Sequence, residues 1–411
     1  MSILEDVKKL GLAERFMGYC RVDTQSADEA PQVPSTAKQH DLAKLLYEEM
    51  RRIGLADVKY DEKNCYVYGY VPASEGVEAE TVGFVGHMDT APQFCGTGVK
   101  PKMFKYEGGD IVLENGLVTA AKEFPFLSEH VGKNLIVTDG TTLLGADDKA
   151  GVAEIMTMAE YLVKHPEVKH GRVALCFTPD EEVGHLAAAL DLEAFGAAYA
   201  YTLDGAGLGG IDYECFNAAG AKVIITGHSI HPGSAKNKMK NALLYAAEFI
   251  NMLPGAEAPA HTEGYEGYYH PTDMEGTDSG AVINFILRDF TREGLEKRKA
   301  LVKAIAAFLN AKYGEGTVDV VITDQYNNMA ELLESKMYIV DKAKDAMKAC
   351  GVEPETVPIR GGTDGCALTF RGLPCPNLCT GSYNHHGPRE LAVVEDMEKI
   401  VEILVTLVSV K

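Results

Sequence analysis

The tightest constraint on this chain is a set of short apolar runs, each fit for a buried strand, three of which lead straight into a histidine or a carboxylate. CYVYGYV spans 65–71, TVGFVGH spans 81–87 and ends in His87, RVALCFT at 172–178 runs into Glu181 and Glu182, and YAYTLD at 199–204 ends in Asp204. Helix-spaced segments alternate with them. Thr36 and Gln39 form a capping-box pattern ahead of Leu42, Leu45, Leu46, Met50 and Ile53, and LLGADDKAG at 143–151 leads into Ile155, Ala159 and Leu162. Strands alternating with helices predict an α/β sheet whose working loops leave the strand ends.

The pattern changes after about residue 215. AKVIITG at 221–227, a helix near 240–253, AVINFILRDF at 281–290, a helix near 292–312 and VDVVITD at 318–324 read as a compact α+β unit. The earlier pattern then resumes. The expected organisation is a discontinuous catalytic domain, 1–215 and 326–411, interrupted by an inserted domain at 216–325.

The acids and histidines at the strand ends carry the chemistry. GHMDT places His87 and Asp89 two apart, on one side of an extended chain, where Asp89 can fix the tautomer of the His87 ring. Asp147 and Asp148, Glu181 and Glu182, Asp204, and His385 and His386 complete the series. Singly, each is ordinary as a cap or a solvated acid. Together on one sheet edge, the carboxylates would repel one another unless a cation held them. Imidazole and oxygen donors without thiolate suit zinc, with cobalt or manganese as substitutes. A carboxylate beyond those needed as ligands is free to act as general base.

Other patterns exclude alternatives. HExxH and GxSxG are absent from the sequence, and the GxGxxG of Gly205, Gly207 and Gly210 precedes a strand-like segment where a dinucleotide fingerprint would open a helix. With 39 basic against 60 acidic residues, the net charge of −21 disfavours nucleic acid and anionic membrane surfaces as partners. Nine cysteines lack a CxxC pair and read as reduced thiols. No apolar run approaches the roughly 18 residues of a membrane span, and the first residues lack a signal peptide's apolar stretch, so a cytoplasmic location is expected.

GHMDT, TTLLGADDKAG, TPDEEVG, TLDG, HPGSAKNKMKNAL, EGYEGYYH, PIRGGTDG and GLPCPNL…YNHHG resemble the M20 metallopeptidases over nearly the whole chain. The resemblance implies a zinc-aminopeptidase-like catalytic domain with an inserted ferredoxin-like lid, through which a homodimer forms. It implies two zinc ions, one held by His87 and Asp204, the other by Glu182 and His386, with Asp147 bridging. Glu181 is the implied general base, Asp89 orients His87, and a cis bond joins Asp147 to Asp148. His231 of the lid is implied to reach the substrate carbonyl, with Arg288 and Arg360 around the substrate. The implied activity is release of the N-terminal residue from tripeptides. A dipeptidase or an aminoacyl deacetylase would use the same metal chemistry. Where His385 stands, the family pattern has a tyrosine.

Overall fold

The computed structural model describes residues 3–28 and 30–410. The chain divides into two compact units. The first comprises the residues up to Tyr213, Leu332–Val357 and the residues from Thr363; the second comprises Glu214–Glu331 and Pro358–Gly362. The five-residue return of the chain to the second unit at 358–362 has no signature in the sequence pattern.

The first unit is built on a seven-stranded sheet. Its order is Ala56–Asp61, Tyr66–Val71, Val173–Thr178, Val82–His87, Tyr199–Leu203, Asn377–Leu378 and Ile211–Asp212. Val82–His87 is parallel to both of its neighbours, Val173–Thr178 and Tyr199–Leu203. Every residue in these three strands is buried, as expected for strands covered on both faces. Phe84, Leu175 and Tyr201 pack with the helices Gln39–Ile53, Ala146–Lys164 and Val394–Val408, whereas Val85, Cys176 and Ala200 pack on the opposite side with Phe195 and Leu368. Parallel strands bring their C-terminal ends to one edge, and there the chain delivers His87, Glu181, Glu182 and Asp204. Helix Ala146–Lys164 lies so close to the sheet that a Cβ on Gly151 would come within 2.0 Å of the Leu203 carbonyl oxygen. Only glycine fits there.

The capping box expected at Thr36 and Gln39 does not form. Helix Gln39–Ile53 has Lys38 at its N-cap without a side-chain cap. Thr36 Oγ1 donates instead to the Gln25 carbonyl, and Gln39 Nε2 donates to Asp180 Oδ1 at 2.6 Å. Buried long-range acceptors outcompete the local cap.

A second, antiparallel sheet of four strands in this unit runs Ser382–Tyr383, Leu391–Val393, Asn134–Val137 and Lys102–Lys105. The loop between its first two strands carries His385, His386 and Glu390.

In the second unit, Asn217–Thr226, Tyr268–Gly276, Gly280–Asp289 and Val318–Tyr326 form an antiparallel sheet with helices Ala242–Asn251 and Arg292–Tyr313. The order strand, helix, two strands, helix, strand is ferredoxin-like. Ala219, Ala221, Val223 and Ile225 face the helices' Ala246, Phe249, Val302, Ile305 and Leu309. Strand Tyr268–Gly276 went unread in the sequence. It lies at the sheet edge and shifts register beside Pro271, and proline in a strand is confined to such positions.

No disulfide joins any of the nine cysteines among the described residues. Among the described residues, no helix is long and apolar enough to cross a membrane.

Candidate metal centre

His87 is the last residue of its strand, and Asp89 follows it fully buried. Asp89 Oδ1 lies 3.3 Å from His87 Nδ1, and the Asp89 carboxylate also accepts the backbone N–H groups of Glu181 (3.0 Å) and Glu182 (3.3 Å). His87 Nδ1 also meets the Asp89 backbone carbonyl at 3.2 Å, and the carboxylate ties this strand end to the turn on the next. That turn is held from the other side as well. Asp180, in the left-handed region at φ 58°, accepts from the Ser35 amide at 2.6 Å and from Gln39.

The opposite ring nitrogen, His87 Nε2, lies 3.0 Å from Asp147 Oδ1 and 3.5 Å from Asp204 Oδ1. Asp147 Oδ2 lies 3.2 Å from His386 Nε2, which in turn lies 3.0 Å from Glu182 Oε2. Two donor groups result, His87–Asp147–Asp204 and Asp147–Glu182–His386, each with its ligand atoms within 4.8 Å of one another. Asp147 belongs to both. The Asp147–Asp148 peptide bond is cis. Asp148 points away from the donors, accepting from the His87 amide at 3.1 Å and the Gly151 amide at 3.2 Å.

Protonation in this structure reflects how much negative charge is gathered. Burial and the charge of Asp147 push Glu182 up to about 8 and Asp204 up to about 6. Hydrogen bonds to Asp147 and Glu182 push His386 up to about 10. Burial opposes the proton on His87, yet its contacts with Asp147, Asp204 and Asp89 hold it well above the usual imidazole range. These upward shifts mark a gathered negative charge that divalent cations would offset. Glu182 Oε1 is buried with no hydrogen-bond partner, a cost that a ligated cation removes. The donor set, two imidazoles and three carboxylates without thiolate, fits zinc, cobalt or manganese.

Glu181 belongs to neither group. Burial, then the charge of Asp204, raises its carboxyl well above the usual range. His385 and His386 separate cleanly. His386 adopts φ 64° and reaches the donors, whereas His385 Nε2 is engaged by Ser382 Oγ at 2.8 Å and its Nδ1 stands 3.5 Å from Asp147 Oδ2.

The other candidate residues belong to the second unit. His231 is exposed, and its Nδ1 accepts from the Gly233 amide at 3.1 Å. Arg288 donates to the carbonyls of Ala219 and Leu287. Arg360 donates to the carbonyls of Gly264 and Glu266, both at 2.8 Å, and to Thr262 Oγ1 at 2.9 Å, with its guanidinium over Phe216. These bonds leave two of its five N–H donors for another partner. Two of the three glycines of the GxGxxG pattern, Gly205 and Gly207, serve packing. A Cβ would meet the Leu378 carbonyl at Gly205 and the Tyr383 hydroxyl at Gly207, and strand Ile211–Asp212 follows where a nucleotide site needs a helix.

Sequence reasoning passed over Asp180, Asp364 and Glu390. Asp364 accepts from Thr178 Oγ1 at 2.6 Å beside the strand ends, and Glu390 reaches the turn before Asp147. Asp180 and Asp364 lay inside motifs already singled out. Glu390 carried only its place four residues after His386.

Comparison with known proteins supplies the family. The Peptidase dimerisation domain family matches residues 213–317. Peptidase T of Caldanaerobacter subterraneus subsp. tengcongensis is 48% identical over 401 residues, covering 97% of this chain and 98% of that protein. Peptidase T of Clostridium botulinum (strain Loch Maree / Type A3) is 51% identical over 397 residues, covering 96% and 97%. Among solved structures, the aminopeptidase PepT of Bacillus cereus is similar with a TM-score of 0.73 and 26% identity, covering 97% of each chain. A dinuclear metal-binding peptidase of the M20 family from Bacillus subtilis shares the fold at a TM-score of 0.63 and 14% identity, over 97% of this chain and 96% of that one. At about half identity over nearly its full length, this chain belongs to the peptidase T family of M20 peptidases.

Proposed function

We propose that this peptidase is a two-zinc aminopeptidase that releases the N-terminal residue from tripeptides. The observation that carries the proposal is the pair of donor groups sharing Asp147, with the half-buried Glu181 outside both. His87, Asp147 and Asp204 would hold one ion, and Asp147, Glu182 and His386 the other; cobalt or manganese would substitute. Such ions, when bound, polarise a peptide carbonyl and lower the pKa of water. Glu181 then acts as general base, taking the proton from water and passing it to the leaving amine. Asp89 holds His87 in one tautomer and fixes the Glu181 amide, so ligand and base keep their register. His231, Arg288 and Arg360 are proposed to bind the peptide. Arg360 is the residue proposed to read its C-terminal carboxylate, because a guanidinium pairs with a carboxylate through parallel hydrogen bonds.

The test is product analysis on a free tripeptide beside matched di- and tetrapeptides, the N-acetylated tripeptide and its C-terminal amide, with zinc-loaded protein. Preferred hydrolysis of the free tripeptide at its first bond is expected. Equal turnover of the acetylated peptide would instead make the chain a deacylase, and preference for the dipeptide a dipeptidase. Arg360→Ala should lose roughly 30-fold or more in kcat/KM on the free tripeptide and lose little further on the amide. Equal losses on both would remove Arg360 from carboxylate recognition. The nine cysteines, with no disulfide among the described residues, support a cytoplasmic location. The matched dimerisation family supports a homodimer through the second unit, which solution mass measurement would test.

A further inference from the structure

Helix Ala146–Lys164 begins in an unusual way. Gly145, left-handed at φ 80°, supplies no side-chain cap, and Asp147 and Asp148 depart from helical φ/ψ, so an irregular turn precedes the regular helix. The backbone amides of this largely buried turn need an acceptor. Glu390 provides it from the other end of the chain. Its Oε2 accepts from the Leu144 amide at 2.8 Å and the Gly145 amide at 2.7 Å, and its Oε1 accepts from the Asp147 amide at 3.0 Å. Glu390 is 1% exposed. Three backbone N–H groups of this irregular turn converge on one carboxylate and form an anion-binding nest.

The position of this nest matters more than its contribution to stability. Asp147 is the donor common to both groups, and its carboxylate can serve both only if its backbone is held at one place. Glu390 bonds to the amide of that same residue. It also stands in the loop between Ser382–Tyr383 and Leu391–Val393 that carries His386. One side chain therefore joins the turn bearing the shared donor to the loop bearing a donor of one group.

We propose that Glu390 is a positioning residue, which sets Asp147 in place for both metal ions before either binds. The proposal rests on the reading of Asp147 as the shared ligand. A residue that merely capped the helix would change folding stability and leave the metal affinity of the folded protein alone. A positioning residue changes affinity and coordination, and substitutions at supporting residues of this kind typically weaken metal binding about 10- to 100-fold.

Two measurements decide it. Glu390→Gln keeps the size of the side chain but replaces one acceptor oxygen with an NH2 that faces an amide donor. Zinc titration of the folded variant should show affinity reduced about 10- to 100-fold, and the cobalt-loaded variant should have shifted visible absorption bands. Zinc affinity within about threefold of wild type, well below the loss expected of such a substitution, together with an unchanged cobalt spectrum would overturn the proposal. The second measurement needs no variant and so stands if Glu390→Gln fails to fold. In metal-free wild type, the amides of Leu144, Gly145 and Asp147 should exchange hydrogen as slowly as the interior of helix Ala146–Lys164. Fast exchange that slows only when zinc is added would show that the metal organises the turn, and would overturn the proposal. A wild type that takes up no zinc would defeat the metal reading, while the exchange measurement would still judge whether Glu390 holds the turn.

Discussion

The two units treat buried charge in opposite ways. Every buried carboxylate among the described residues is in the first unit: Glu49, Asp89, Asp139, Asp148, Glu154, Asp180, Asp364, Glu390 and Asp396. The buried charges of the second unit are two cations, Arg298 and Lys299, whose partners reach them from its surface. Removing a carboxylate from water is costly unless hydrogen bonds or counter-charge replace the water. The second unit avoids that cost with an apolar layer between sheet and helices. The first accepts it: Asp89, Asp180 and Glu390 tie loops together beside the strand ends, whereas Glu154 lies within its helix with neither oxygen hydrogen-bonded among the described residues. Stability in the second unit should therefore follow packing and surface ion pairs, whereas in the first it should follow protons and metal.

The sharpest break in this comparison is at Glu181. Glu181→Gln should retain both metals and the fold yet lose about 10²- to 10⁴-fold in turnover, the usual contribution of a general base. Metal content and kcat are measured on one preparation; full metal with activity within about tenfold of wild type would remove Glu181 from the reaction. Next in size, His386→Ala should lose one of two ions, while His385→Ala, whose Nε2 is already taken by Ser382, should keep both. The reverse pattern in elemental analysis would exchange their roles.

Protons sharpen the contrast further. Burial raises Asp364 to about 7 from its ordinary 3.8. The folded state then binds that proton more tightly than the unfolded chain does. The associated stability is full below about pH 4 and is lost as pH rises through about 7. Asp204, at about 6, and Glu182, at about 8, act in the same direction. Urea midpoints of the metal-free protein should fall between pH 4 and 8, and Asp364→Asn should flatten that fall. An identical slope in the variant would sink the assignment.

The smallest effect belongs to the second unit. Arg298 bonds to Glu257 at 2.6 Å and Asp289 at 3.1 Å and lies over the Tyr269 ring. Arg298→Ala should cost about 2 kcal/mol, the scale of a charged hydrogen bond, with metal content unchanged. Loss of metal in that variant would contradict the division of labour between the units.

What was legible in the sequence was local. Apolar runs ending in His87 or Asp204 define a strand and its terminal residue together, and the two-residue spacing of His87 and Asp89 places both on one side of an extended chain. Four of the seven strands of the first sheet, Tyr66–Val71, Val82–His87, Val173–Thr178 and Tyr199–Leu203, and the lid's helices could therefore be read directly. Edge strand Tyr268–Gly276 could not, because Pro271 breaks the pattern by which strands are recognised. Tertiary structure alone decided the long-range ties. Glu390 meets Asp147 across 243 positions, and Asp180 meets Ser35 across 145. Thr36 and Gln39 illustrate the same limit, since their apparent local cap gave way to Gln25 and Asp180. The left-handed turn that places His386 among the donors, and the Ser382 hydroxyl that engages His385, are likewise set by the folded loop. Sequence spacing encodes which side chains share a strand or a helix face; which distant amide a buried carboxylate will find depends on how the finished elements pack.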